Sequence, residues 1–137
     1  MAEAALGKAA VLKVGPSAGA LTDITVDGSG LANYEITDEK ENREIPGSGD
    51  AVRRQSLDRA DGSLSITIDL NSISRPLFFG KSGDKLYFEE GIIGESGGDP
   101  KRSGNGFMNV AMPVDTADAV QMTITVELDG GVTHGNW

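Results

Sequence analysis

Residues 114–135 read VDTADAVQMTITVELDGGVTHG. Within this stretch apolar and polar side chains alternate without a break, and the apolar positions are Val120, Met122, Ile124, Val126 and Leu128. Because successive side chains of a β-strand point to opposite faces, this period of two predicts a strand with one buried face. The run carries charge only at Glu127 and contains no proline, so an exposed edge here would favour aggregation. We therefore expect the strand to lie in the middle of a sheet or to pair with another chain.

Six further strands are predicted by short apolar or alternating runs that end at glycine or proline. They cover residues 9–15, 21–27, 31–37, 63–70, 84–92 and 106–114. A chain of 137 residues is most simply one domain, and seven strands of this kind predict a mainly β fold, an antiparallel β-sandwich or barrel. Residues 94–106 are expected to form a glycine-rich connection between strands.

One short helix is predicted at residues 74–80. Ser74 supplies a cap, Pro76 lies in the first turn and Gly80 stands where a helix would stop. The helix would place Leu77, Phe78 and Phe79 as a plug against one sheet. The alternative is a turn pinned by the same aromatic side chains.

Residues 37–62 form a long charged segment with twelve charged side chains, and we expect an extended loop there. Such a loop is predicted to be mobile in the monomer and ordered in a polymer. The candidate inter-subunit residues lie in this loop and at the C-terminal tryptophan: Glu44, Ile45, Val52, Arg53, Arg54, Leu57 and Trp137.

The amino-acid composition argues against several classes of function. The net charge is −9, with 21 acidic against 12 basic side chains, and this balance argues against tight binding to a nucleic acid backbone. The chain has no cysteine, so disulfides and cysteine-based metal sites are excluded. No apolar run approaches the length of a membrane span, and the first residues do not have the pattern of a signal peptide.

Three motifs resemble catalytic or ligand-binding segments, but each is better explained as a loop or as surface charge. GESGGDP (residues 94–100) resembles a protease nucleophile segment, but the one histidine, His134, lies in a glycine-flanked tail where a fixed imidazole is not expected. GKS at residues 80–82 lacks the glycine that a phosphate-binding loop needs. The carboxylates near residues 38–44 lack the spacing of a calcium loop. We predict no catalytic, cofactor-binding or metal-binding residue and no enzyme.

Three segments resemble the tail tube proteins, or major tail proteins, of long-tailed bacteriophages. GKAAVLKVGPSAGALTDIT resembles their first hairpin, and SLSITIDLNSISRPLFFG resembles their central strand with its short helix. FEEG and then GFMNVAMPVDTADAVQMTITVELDGGVTHG resemble their last strands. The resemblance implies a β-sandwich flanked by a helix. It also implies that six subunits join edge to edge in a ring, and that stacked rings form the tube in the virion tail.

The resemblance gives the acidity a role, because an acidic lumen lets DNA pass without binding it. Candidate lumen residues are Asp69 and Glu127, on the polar faces of their strands. The implied partners are copies of the chain, a tape-measure protein and tail-tip or terminator proteins, with no membrane, and synthesis would take place in the bacterial cytoplasm. A capsid decoration protein and a β-sandwich ligand-binding module remain alternatives.

Overall fold

The computed structural model describes the backbone of residues 10–46 and 52–137, and the side chains of residues 10–38 and 62–137. Eight strands and one helix are described in these ranges. They are β1 Val11–Gly15, β2 Thr22–Asp23, β3 Leu31–Pro46, β4 Val52–Asp69, α1 Arg75–Phe78, β5 Lys85–Gly91, β6 Pro100–Ala111, β7 Gln121–Leu128 and β8 Thr133–Asn136. All strand pairs are antiparallel, in the order β2-β1-β5-β6-β7-β4-β3, and β8 pairs with β6 beyond the end of β7. The sheet curls into a half-barrel, so the mainly β prediction with one short helix is confirmed.

Strand β7, which carries the alternating run, lies in the middle of the sheet. Ile124 pairs with Ile66 of β4 on one side and with Val110 of β6 on the other. Both edges of β7 are therefore occupied within the chain, and its alternate apolar side chains are buried on the inner face. The first of the two expectations for this strand, a place inside the sheet, is confirmed.

The core fills the inside of the curl. The inward side chains of β1, β4, β5, β6 and β7 are almost fully buried there, and Ile24 and Phe78 join them. Burial of an aliphatic or phenyl side chain contributes roughly 1.5–3 kcal/mol each, so this interior holds the sheet in its curled form. Among the described residues, no helix has the length and apolar character to cross a bilayer.

Helix α1 follows the predicted position but not every predicted contact. It begins after Ser74, contains Pro76, and ends before Gly80, which has a φ of 72°. Phe78 is fully buried, whereas Phe79 is 46% exposed and lies 5.9 Å from the Arg75 guanidinium. A plug made of both aromatic side chains is therefore wrong, because a helix of one turn presents only one of two adjacent residues to the core.

Five strands differ clearly from the sequence prediction. Strands β3 and β4 continue far beyond residues 37 and 63, so most of the predicted charged loop is a two-stranded hairpin. Strand β2 has two residues rather than seven. Strand β6 begins at Pro100, inside the segment expected to be a connection. The tail after residue 132, expected to be loose, forms β8.

Strand β6 contains glycines, which have a low strand propensity, at positions where its neighbours leave little space for a side chain. A Cβ added at Gly106 would lie 2.0 Å from the carbonyl oxygen of Glu127, and one at Gly104 would lie 3.0 Å from the Phe88 ring. The two strands that flank β6 approach it at these positions. Glycine, which usually weakens a strand, is here what allows the sheet to close around its core.

Candidate assembly surfaces

The outward side of four adjacent strands forms a continuous polar surface, which we call the polar face. It consists of the outward side chains of β3 residues 33–37, β4 residues 63–69, β7 residues 121–127 and β6 residues 105–111. Three of these side chains are carboxylates, Glu35, Asp69 and Glu127, and none of the described ones is lysine or arginine. The opposite part of the sheet carries Lys13 and Lys85 on the same outward side. The same part of the sheet also carries Asp23 and Glu89 on the outward side, so it has charges of both signs, whereas the polar face has only acidic ones among its described residues.

The two lumen candidates lie on the polar face but not next to each other. Asp69 pairs with Gln121 at one end of the β4–β7 ladder, and Glu127 pairs with Ser63 at the other. Six residues of strand separate them, or roughly 20 Å. Glu35 pairs with Ser65 between these ends, and it was missed by the sequence argument. Its alternation with Tyr34 and Ile36, both inward, is the signal that could have found it.

One exposed aromatic side chain interrupts the polar face. Phe107 is 64% exposed and lies between Lys85 of β5 and Glu127 of β7. Phe88, on the neighbouring strand β5, is by contrast only 2% exposed. Phe107 lies at the boundary between the acidic polar face and the part of the outward surface that carries charges of both signs.

Strand β3 is the long open edge of the sheet. It ends the strand order, and in the described part of the chain no strand pairs with its second edge. At the other end of the order, β2 pairs with β1 through only two residue pairs, Lys13 with Asp23 and Val14 with Thr22. Unpaired N–H and C=O groups on such an edge can bind a strand from another chain. The backbone N–H and C=O groups of β7 are paired within the chain, whereas those on the outer edge of β3 have no partner strand in the described part of the structure.

The arm, residues 37–62, extends from this edge as a hairpin. Its strands pair as far as Glu44 with Arg54, Ile45 with Arg53 and Pro46 with Val52, with a register shift between Lys40 and Asn42. Six of the candidate inter-subunit residues belong to it. The side chains of Glu44, Ile45, Val52, Arg53, Arg54 and Leu57 lie outside the described part of the structure.

The base of the arm is tied to the C-terminal strand. Asp38 pairs with Gly62 where the hairpin leaves the sheet, and the Asp38 carboxylate lies 2.5 Å from Nε2 of His134 on β8. A Cβ at Gly62 would meet the Thr37 carbonyl oxygen at 2.8 Å, so only glycine fits here without a shift. The expectation that His134 would not be held is wrong, because β8 fixes its backbone and Asp38 its ring.

A buried ion pair between β5 and β6 lies on the inner face of the sheet. Glu90 of β5 is 1% exposed, and its two carboxylate oxygens accept hydrogen bonds from Nε and Nη2 of Arg102 at 2.5 and 2.8 Å. The hydrogen bond to Glu90 raises the pKa of Arg102, although burial opposes the rise. Burial raises the pKa of Tyr34 on β3, and its hydrogen bond to Glu90 raises it further. Tyr34 of β3 thus lies near the ion pair formed by β5 and β6.

Trp137, the seventh inter-subunit candidate, packs against its own chain. Its backbone N–H donates to the Asp99 carbonyl oxygen at 2.9 Å, and its ring lies 5.5 Å from Nζ of Lys13 and 4.7 Å from Nζ of Lys101. The indole N–H is buried without a hydrogen-bond partner in the described structure, close above Gly91. In the described part of the chain, no group of three or more His, Cys, Asp or Glu side chains is placed to hold a metal ion.

Comparison with solved structures gives matches over nearly the whole chain. A chain in the virion of a native gene transfer agent particle matches with a TM-score of 0.64 at 14% identity, covering 96% of this chain and 99% of that one. A chain in the tail of an empty gene transfer agent particle, solved with C6 symmetry, matches with a TM-score of 0.61 at the same identity and coverage. A subunit of the SPP1 tail tube matches with a TM-score of 0.61 at 12% identity, covering 98% of this chain and 80% of that one. The chain has the fold of a tail tube subunit.

This tail tube fold confirms, at the level of structure, the resemblance predicted from three sequence segments. No protein-family model matches the chain, and no curated protein matches it significantly. The similarity therefore lies in the fold rather than in the sequence.

Proposed function

We propose that this protein is a structural subunit of a virion tail, which assembles with copies of itself into rings that stack into a tail tube. The observation that carries the proposal is the fold match to tail chains over 96% or more of the sequence. The open edge of β3 supports it, because an unpaired strand edge can be covered by a strand of a neighbouring copy.

The ring is proposed to contain six copies. The support is the C6 symmetry of one matching tail and the sixfold symmetry of the anti-feeding prophage baseplate, a chain of which matches with a TM-score of 0.59 at 10% identity. Edge-to-edge pairing in a ring leaves no free edge, and cyclic closure gives a particle of fixed bore.

The polar face is proposed to line the bore. Its three carboxylates and its lack of described basic side chains would repel the phosphates of double-stranded DNA, so DNA would pass during ejection without adhering. Asp69 and Glu127 keep their predicted role in this proposal, and Glu35 joins them.

The arm is proposed to reach a neighbouring ring, with Arg53, Arg54 and Leu57 among the contacts. Trypsin should then cleave after Arg53 and Arg54 in the free protein and much more slowly in the assembled protein. Trypsin also cleaves after Arg43 and Arg59, so a variant with Arg53 and Arg54 changed to glutamine shows which part of the cleavage occurs at these two sites. Equal cleavage of both forms would contradict the arm's role. Further proposed partners are a tape-measure protein and tail-tip or terminator proteins.

Electron microscopy of the purified protein at high concentration tests the assembly. The expected result is hollow rings or tubes with a central channel. Compact trimers or monomers at every concentration would overturn the proposal and would favour a capsid decoration protein instead.

A further inference from the structure

A small cleft lies between the β1–β2 turn, α1 and the start of β5. Its floor is apolar and is made by Pro16, Pro76, Leu77, Leu86 and Met108. It holds about 110 Å³ of free space, comparable to roughly four water molecules at about 30 Å³ each. A floor of this composition offers few partners to water and suits a short aliphatic side chain.

Three charged residues, Lys81, Asp84 and Lys85, also line the cleft, and the Lys85 ammonium lies 5.3 Å from the centroid of the Tyr87 ring. Lys81 and Lys85 are both exposed, and Asp84 lies between them in sequence. An occupant that presents an aliphatic side chain next to acidic groups would match both the floor and these lysines.

The loop between β6 and β7 has that chemistry. Val114 is 67% exposed, the most exposed large apolar side chain in the described part of the chain. Asp115 and Asp118 follow it and are both exposed. The turn is already ordered, because the Asp115 side chain accepts a hydrogen bond from the Ala117 N–H at 3.0 Å and its carbonyl accepts one from the Asp118 N–H at 3.2 Å.

We propose that residues 113–118 of one copy dock into the cleft of a second copy, with Val114 on the apolar floor and Asp115 and Asp118 beside Lys81 and Lys85. No residue of the loop lines the cleft of its own chain. This inference rests on the proposed function, because it names a lateral contact of the proposed ring.

The position of loop and cleft agrees with such a contact. The end of β6, the start of β7 and the start of β5 all lie at one end of the sheet, and Gly15, next to Pro16, pairs with Tyr87 near the same end. A neighbour related by rotation about an axis along the strands therefore presents its loop at the height of the cleft. Because loop and cleft are different surfaces, the contact is heterologous and can repeat around a ring.

Disulfide trapping tests the contact, and a chain without cysteine suits it. An Asp115→Cys protein is mixed with a Lys81→Cys protein at concentrations that favour assembly, under mild oxidation. A dimer that forms only between different chains should appear several-fold above the yield of either variant alone. The matched control mixes Asp27→Cys, an exposed acidic position outside the loop, with Lys81→Cys.

A charge swap provides a second measurement. Asp115→Lys and Lys85→Glu should each raise the protein concentration needed for assembly several-fold, and mixing the two variants should restore part of the loss. Rings or tubes without the specific disulfide and without rescue would overturn the docking contact while leaving the proposed function intact. The disulfide and rescue in a protein that forms no rings or tubes would support the contact and overturn the tube. Absence of the specific disulfide, of the rescue and of rings or tubes would overturn the docking contact.

Discussion

At the scale of single residues, adjacent glutamates of β5 have opposite surroundings. Glu90 points inward, is almost inaccessible to water and is held by Arg102 through two hydrogen bonds. Glu89 points outward and forms a partly exposed ion pair with Lys101 at 3.2 Å. The separation of the two side chains follows from strand geometry, which also excludes that they share a proton.

Glu90→Gln should destabilise the protein by about 3 kcal/mol, because loss of one partner of a buried ion pair leaves the other without compensation. Glu89→Gln is the matched control, with an expected cost of about 0–1 kcal/mol for an exposed pair. Urea unfolding at neutral pH measures both. Equal costs would show that the inner pair is no better shielded from water than the outer one.

Tyr34 should make stability depend on pH in the alkaline range. Burial and the Glu90 carboxylate raise the pKa of Tyr34, so above about pH 10 the unfolded chain loses the tyrosine proton while the folded chain keeps it. The stabilisation is fully present below about pH 10 and is lost as pH rises toward the folded-state pKa. Tyr34→Phe should flatten this loss in urea unfolding between pH 9 and 11. Tyr87→Phe is the control, and an unchanged slope in Tyr34→Phe would contradict the assignment.

At the scale of elements, the sequence predicted strands well where burial alternates cleanly. The central parts of β4 and β7 follow their alternating runs, and α1 lies at its predicted position. The predicted cap is wrong, because the Ser74 side chain forms no capping hydrogen bond and its hydroxyl donates to the Asp69 carbonyl oxygen. The extensions of β3 and β4 have charged sequences, so only pairing with each other makes them strands. Strand β8 is glycine-rich and depends on β6 for its order. Tertiary pairing, which no local pattern records, decides these cases.

Gly106 is the residue of β6 at which the neighbouring strand β7 leaves the least space for a side chain. Gly106→Ala should destabilise the protein by about 1–3 kcal/mol, because the added methyl group would overlap the Glu127 carbonyl oxygen and force the backbone apart. Gly135→Ala in β8 is the control, since a Cβ there has no neighbour within 4 Å. Urea unfolding of both variants measures the difference. Equal stability of the two would show that β7 can move away from β6 at little cost.

At the scale of the whole molecule, the sequence predicted an acidic β protein with β7 inside the sheet or paired with another chain, but it did not show which strand has the open edge. Strand β7 is paired on both edges within the chain, whereas β3 has an unpaired edge in the described part of the sheet. The net charge of −9 does not show that carboxylates collect on one part of the sheet, because it contains no information on which strands lie side by side. Only the strand order brings Glu35, Asp69 and Glu127 onto one face and leaves Lys13 and Lys85 on the other part of the sheet.

This placement of the carboxylates leads to a prediction about DNA in the assembled protein. Asp69→Lys combined with Glu127→Lys should give tubes that retain duplex DNA and protect it from nuclease, because cations in the bore release counterions from the phosphates. The protection should fall steeply as salt rises. Asp27→Lys combined with Glu95→Lys makes the same change in net charge at exposed loop positions outside the polar face, and it should protect no more DNA than the unchanged protein. Equal protection by both double variants would show that total charge matters and position does not. Intact tubes of the first variant that protect no DNA would place the polar face away from the bore.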